Sequence, residues 1–101
     1  MEEKIVVQID PDLREIVPAF LENRKKDLQT LERCLQEREL ETVRLLGHRM
    51  KGDGGGYGFN RISEIGGHLE HAALARDFAA LRECWAQLQD FLTRVEVLYK
   101  G

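Results

Sequence analysis

Leu46-Gly47-His48-Arg49-Met50-Lys51-Gly52-Asp53-Gly54-Gly55-Gly56-Tyr57-Gly58-Phe59 joins two opposed tendencies. Up to Met50 the apolar residues Leu40, Val43, Leu46 and Met50 recur at three- and four-residue steps, the stripe of an amphipathic helix. Glycine follows, and each glycine in a helix costs about 1 kcal/mol relative to alanine. Eight of the nine glycines lie between Gly47 and Gly67, so the concentration answers a backbone need. A sharp helix-to-helix turn would use them, and so would close approach of another molecule to bare backbone. A helix is therefore expected from near Glu39 to at least Lys51, with its end somewhere in the glycines.

Working outward, Asp10-Pro11 has the form of a helix start, a cap residue followed by proline at the first helical position. Leu13, Ile16, Val17, Phe20, Leu21, Leu28, Leu31, Cys34 and Leu35 then mark a long first helix ending near Gln36 to Arg38. Pro18 inside it should kink the helix or split off a short first turn. Downstream, Ile62, Ile65, Leu69, Ala72 and Ala73 mark a third helix from about Asn60 to Ala75. Asp77 is a plausible cap for a fourth, which buries Leu81, Cys84, Trp85, Leu88, Phe91, Leu92, Val95 and Leu98. Four helices with short connections predict an all-α, antiparallel up-down-up-down four-helix bundle. Before it, Ile5, Val7 and Ile9 alternate over Lys4–Ile9, as in an extended arm, with no second strand-like run in view to pair with it. The chain reads as a single domain, 1–101, with the arm at 1–10 and the bundle over about 11–98.

Composition narrows the function. A formal net charge of −3 over 101 residues argues against binding nucleic acid, which lysine and arginine drive. The basic run Arg24-Lys25-Lys26 is followed at once by Asp27 and reads as a solvated helix face. No apolar run approaches the ~18–20 residues that span a bilayer. The acidic start Met1-Glu2-Glu3-Lys4 lacks the basic region of a secretion signal, so a cytoplasmic, membrane-free protein is expected. Cys34 and Cys84 lie far apart among apolar residues and read as buried free thiols.

The chemistry concentrates at His48, Lys51, Gly52 and Gly58, an H-x-x-K-G-x(5)-G pattern. Residues three and four apart share a helix face, so His48, Lys51 and Gly52 form one patch, with Arg44 and Leu45 on the other side of the histidine. Val43, Leu46, Gly47 and Met50 mark the core side, which places His48 outward or at the edge. A neutral imidazole is a nucleophile near pH 7. Lys51 would supply a mobile positive charge for an anionic phosphoryl group, and Gly52 would leave room for a bulky partner. No residue is placed to activate water, so a phosphohistidine would persist until a partner removed it.

These residues resemble the bacterial HPt (histidine-containing phosphotransfer) family, whose members are four-helix bundles with H-x-x-K-G on the second helix. The Leu69-Glu70 pair fits the third helix of that family. The resemblance covers Asp10 to about Leu98. It implies a phosphorelay carrier, with His48 as phosphoacceptor, Lys51 as its electrostatic partner, Gly52 as the clearance residue and Gly58 in the turn between the second and third helices. It also implies exchange with the aspartate of a response-regulator receiver domain, a hybrid sensor histidine kinase being a further partner. No intrinsic cofactor or metal is expected; Mg²⁺ would sit on the receiver. Neither autonomous kinase nor phosphatase activity is implied, and a monomer is expected. The competing reading is a non-phosphorylated adaptor bundle that keeps the glycine turn. His68 and His71 could suggest a metal site, but no Glu-x-x-His accompanies them, and they read as partly exposed side chains. The glycine run follows a helix and holds neither nucleotide-loop pattern.

Overall fold

A computed structural model describes residues 3–100. Four helices follow one another: α1 (Val17–Glu37), α2 (Leu40–Gly56), α3 (Asn60–Leu74) and α4 (Phe78–Arg94). Each packs on the next, and α4 closes the ring against α1, the arrangement expected of an up-down bundle. The pair α2–α3 makes the most extensive contact.

The helix ends follow from local chemistry. Asp10 does cap, its carboxylate accepting from the N–H of Asp12 at 2.9 Å, but it starts only a 3-10 turn, Pro11–Leu13. The long helix begins at Val17, so Pro18 falls in its first turn, where its missing N–H costs nothing. Of the two outcomes expected at Pro18, the structure shows the split: a short 3-10 turn precedes it, and Pro18 starts α1 without kinking it. Arg38 ends α1 in the left-handed conformation (φ 60°), and the Glu39 N–H reaches back to the Cys34 carbonyl at 2.9 Å. Asp77 caps α4 by accepting from the Ala80 N–H at 3.0 Å.

Two expectations change at the termini. The fourth helix stops at Arg94, not near Leu98, and Val95–Tyr99 forms a strand, β2. It pairs in parallel with β1 (Ile5–Ile9), in the register Ile5↔Val95 to Ile9↔Tyr99. The arm thus has the partner that the sequence did not disclose. Val-Glu-Val-Leu-Tyr alternates and is rich in β-formers, and Val95 and Leu98 also continue the three- and four-residue spacing of the helix before them. The strand's inner face, Val95, Val97 and Tyr99, rests on the core, while Leu98 points out, 45% exposed.

The core runs the length of the bundle through Leu31, Val43, Met50, Ile62, Ile65, Leu69, Leu81 and Leu88, all at or below 1% exposure. At one end Phe20 stacks between Tyr57 (4.4 Å) and Phe59 (5.3 Å), fastening the α2–α3 turn to α1. Cys34 and Cys84 are buried and free, and burial pushes the Cys84 thiol up, away from the reactive thiolate. In the basic run Lys25 is solvated, but Arg24 lies along the bundle, bound to Asp27 at 2.7 Å and 4.8 Å over the Phe20 ring. No helix of the described chain is long and apolar enough to cross a membrane.

Candidate functional site

The glycines decide how closely α2 meets α3. A Cβ on Gly47 would lie 2.7 Å from both the Glu70 nitrogen and the Gly66 oxygen. On Gly54 it would lie 2.5 Å from the Ser63 nitrogen, and on Gly66 it would meet the Lys51 and Met50 backbone and the Gly47 oxygen. The two helices therefore touch backbone to backbone. This carries α2 through its glycines to Gly56, past the Lys51 limit that the sequence left open. Ser63 Oγ adds a hydrogen bond to the Lys51 carbonyl across the seam.

That closeness brings a carboxylate to the histidine. His48 is exposed, with 67% of its side chain open to solvent. Its Nδ1 lies 2.9 Å from Glu70 Oε2 on α3. Lys51 Nζ lies 4.0 Å from Glu70 Oε1, so one half-buried carboxylate faces both groups. A carboxylate accepts here, so in the neutral ring the proton sits on Nδ1 and the lone pair on Nε2. The same carboxylate fixes the ring's orientation, as acids do behind functional imidazoles.

The other sequence-marked residues sit as follows. Gly52 is exposed, and a Cβ added there would meet nothing within 4 Å, so the helix beside His48 is bare. Gly58 takes φ +87° in the α2–α3 turn, where a Cβ would come within 3.0 Å of Ile9 Cδ1. It lies ten residues beyond His48, past the end of α2 at Gly56. It shapes the turn and does not touch the imidazole. Arg44 is tied to Glu41, and Leu45 stands 47% exposed on the side of His48 away from α3. His68 and His71 are exposed, and among the described residues no group of three or more His, Cys, Asp or Glu is placed to hold a metal ion.

Glu70 is the residue that sequence reasoning did not place in the site. It was visible only as half of the Leu69-Glu70 pair. Its meeting with His48 depends on the α2–α3 register, which the glycine seam sets and no spacing within one helix discloses.

With this geometry in hand, the family comparison is decisive: a model of the Hpt domain matches residues 15–97. The chain belongs to the Hpt domain family. No curated protein and no solved structure matches it. Membership carries a histidine phosphotransfer role in phosphorelays, with response regulators and kinases as the general partner classes. In this Hpt domain the match spans all four helices and ends within β2.

Proposed function

We propose that this Hpt domain accepts a phosphoryl group on His48 Nε2 from the aspartate of a receiver domain, or from a hybrid sensor kinase, and passes it on to another receiver. The observation that carries this reading is the His48–Glu70 contact at 2.9 Å on an exposed helix face. The Nε2 lone pair attacks phosphorus as the bond to the aspartyl oxygen breaks, and the aspartate leaves as a carboxylate. Positive character grows on the ring during the step, and Glu70 stabilises it through the Nδ1 proton, which stays in place. Lys51, held 4.0 Å from the same carboxylate, is within reach of the phosphoryl oxygens by side-chain rotation. Gly52 leaves clearance for the receiver, and Gly58 sets the turn that holds α3 behind α2. Mg²⁺ is supplied by the receiver. The carrier itself has no kinase or phosphatase activity and works in the cytoplasm.

Incubation with a phosphorylated receiver should transfer acid-labile, base-stable label to the wild-type chain. His48→Gln should keep the fold, because an exposed helical position tolerates glutamine, and should accept no label. Label retained on His48→Gln would move the acceptor elsewhere, with His68 and His71 the first to examine. No transfer to the wild type from any receiver of the same genome would favour the adaptor reading.

A further inference from the structure

The β1–β2 ribbon is a physical anomaly. Parallel sheets are ordinarily covered on both faces, and a lone two-stranded ribbon is marginal. Here the inner face lies on the bundle, while the outer face leaves Val6 54% and Leu98 45% exposed. β1 also has an open edge. The Lys100 N–H donates to the Ile9 carbonyl at 3.0 Å, so the backbone of Ile9 points toward β2. By the two-residue alternation of a ladder, Ile5 and Val7 do the same, and the N–H and C=O groups of Val6 and Gln8 point the other way. Among the described residues nothing bonds to them. A groove runs beside this edge, walled opposite by Gly58, Asn60, Arg61 and Gln87.

Exposed edges are usually protected by charge, proline or a bulge. Ile5-Val6-Val7-Gln8-Ile9 carries none of these. The segment is moreover complementary to itself. In antiparallel pairing centred on Val7, Val6 faces Gln8 of a second copy, so the outward backbone groups of both strands meet. Ile5 then faces Ile9, which keeps the apolar faces together, and Lys4 faces Asp10 at each end. Lys4 and Asp10 are both exposed.

We infer that β1 is a dimerisation edge: a second copy of this chain adds its own β1 across a two-fold axis, giving a four-stranded sheet β2-β1-β1-β2. Such an interface is isologous and closed. It departs from the monomer expected from the sequence. It does not use His48 and does not depend on the phosphotransfer reading.

Sedimentation of the wild-type chain over rising concentration tests this, with twice the chain mass expected at the upper end. Gln8→Pro removes an N–H that faces the open edge and leaves the β1–β2 ladder intact. It should weaken the dimer by about tenfold or more at unchanged helicity. Lys4→Glu, exposed and remote from the core, sets like charges against Asp10 and should weaken the dimer independently if Gln8→Pro disturbs folding. The Val6 and Gln8 amides should become protected from hydrogen exchange as the dimer forms. A wild-type chain monomeric at every concentration up to about 1 mM overturns the inference. So does a dimer indifferent to both substitutions.

Discussion

Helix α2 carries glycines on two sides, and the two sides use them for opposite reasons. Gly47 and Gly54, a heptad apart, face α3, whose Gly66 faces back toward α2, and a methyl group on any of the three would strike backbone. Gly52 and Gly56 face solvent, where an added methyl would meet nothing, and Gly55 nearly so, with Ser63 Oγ 4.0 Å away. On the inner side the intrinsic cost of glycine is offset by packing, and the seam brings Glu70 to His48. On the outer side no contact within the chain offsets it. The outer glycines weaken the helix in exchange for a bare surface next to the histidine. One residue type in one helix thus permits backbone contact on one face and leaves bare backbone on the other.

The inner side gives the largest expected effect. Gly66→Ala would push a Cβ against the backbone of Met50 and Lys51, atoms that cannot rotate away. Overpacking of this kind costs about 3 kcal/mol, a fall in melting temperature on the order of 15 °C for a domain of this size. The parted helices would also lengthen the His48–Glu70 contact. Thermal denaturation checks the first effect, and the chemical shifts of the His48 ring at fixed pH check the second. A variant that melts with the wild type would mean that α2 and α3 stand farther apart than described.

Next comes the turn that closes the seam. Gly58→Val places a β-branched residue at φ +87° and a Cβ 3.0 Å from Ile9 Cδ1. Positive φ in such a residue costs about 2 kcal/mol, and the clash bears on the buried anchor of β1. Urea unfolding should show that loss. An unchanged midpoint would remove Gly58 from the turn's requirements.

Most of the seam's consequences were not legible in the chain, and the reason is physical. Helix periodicity reports one helix at a time, so it found all four helices, the core positions of α2 and α3, and the outward face of His48. The H-x-x-K-G pattern lies within a single helix, and the residues it marks were legible for the same reason. Glu70 is defined by the register between two helices, which depends on where glycines allow backbones to touch. The glycine run by itself suggests a turn or an access site; Gly54 within it is neither, and packs on the α3 backbone. The β2 strand was missed because Val95 and Leu98 satisfy the helical step while Val95, Val97 and Tyr99 satisfy the strand step. Only pairing with β1, some ninety residues earlier in the chain, decides between them.

A third substitution probes the charge between the two sides. Lys51 side-chain atoms are 59% exposed, and its one ionic neighbour among the described residues is Glu70 at 4.0 Å. Removing it should change stability by no more than about 0.5 kcal/mol. If it holds phosphoryl oxygens in the transition state, Lys51→Ala should slow transfer by tenfold or more, about 1.4 kcal/mol. Lys51→Arg should restore only part of the rate, because the planar guanidinium does not reproduce a compact ammonium. Rapid-quench transfer from a phosphorylated receiver measures both. A rate insensitive to Lys51→Ala would mean that Lys51 does not hold phosphoryl oxygens in the transition state.

The smallest effect gives the sharpest test of the outer side. Gly56→Ala and Gly52→Ala each add a methyl group that meets nothing within 4 Å. Each should stabilise the domain by roughly 0.5–1 kcal/mol through helix propensity, where Gly66→Ala destabilises it. The two should part company in transfer. Gly52 lies one turn from His48 on the same face, so a methyl group there stands where the proposed transfer brings the receiver. Gly56 lies a further turn away, at the end of α2. Gly52→Ala should therefore raise the receiver concentration needed for half-maximal transfer while leaving the saturated rate near wild type, and Gly56→Ala should leave both unchanged. Equal effects from the two would mean that the outer glycines matter for the flexibility of the helix end and not for clearance. No effect from either, with both variants stabilised, would mean that the bare surface beside His48 is unused by the receiver.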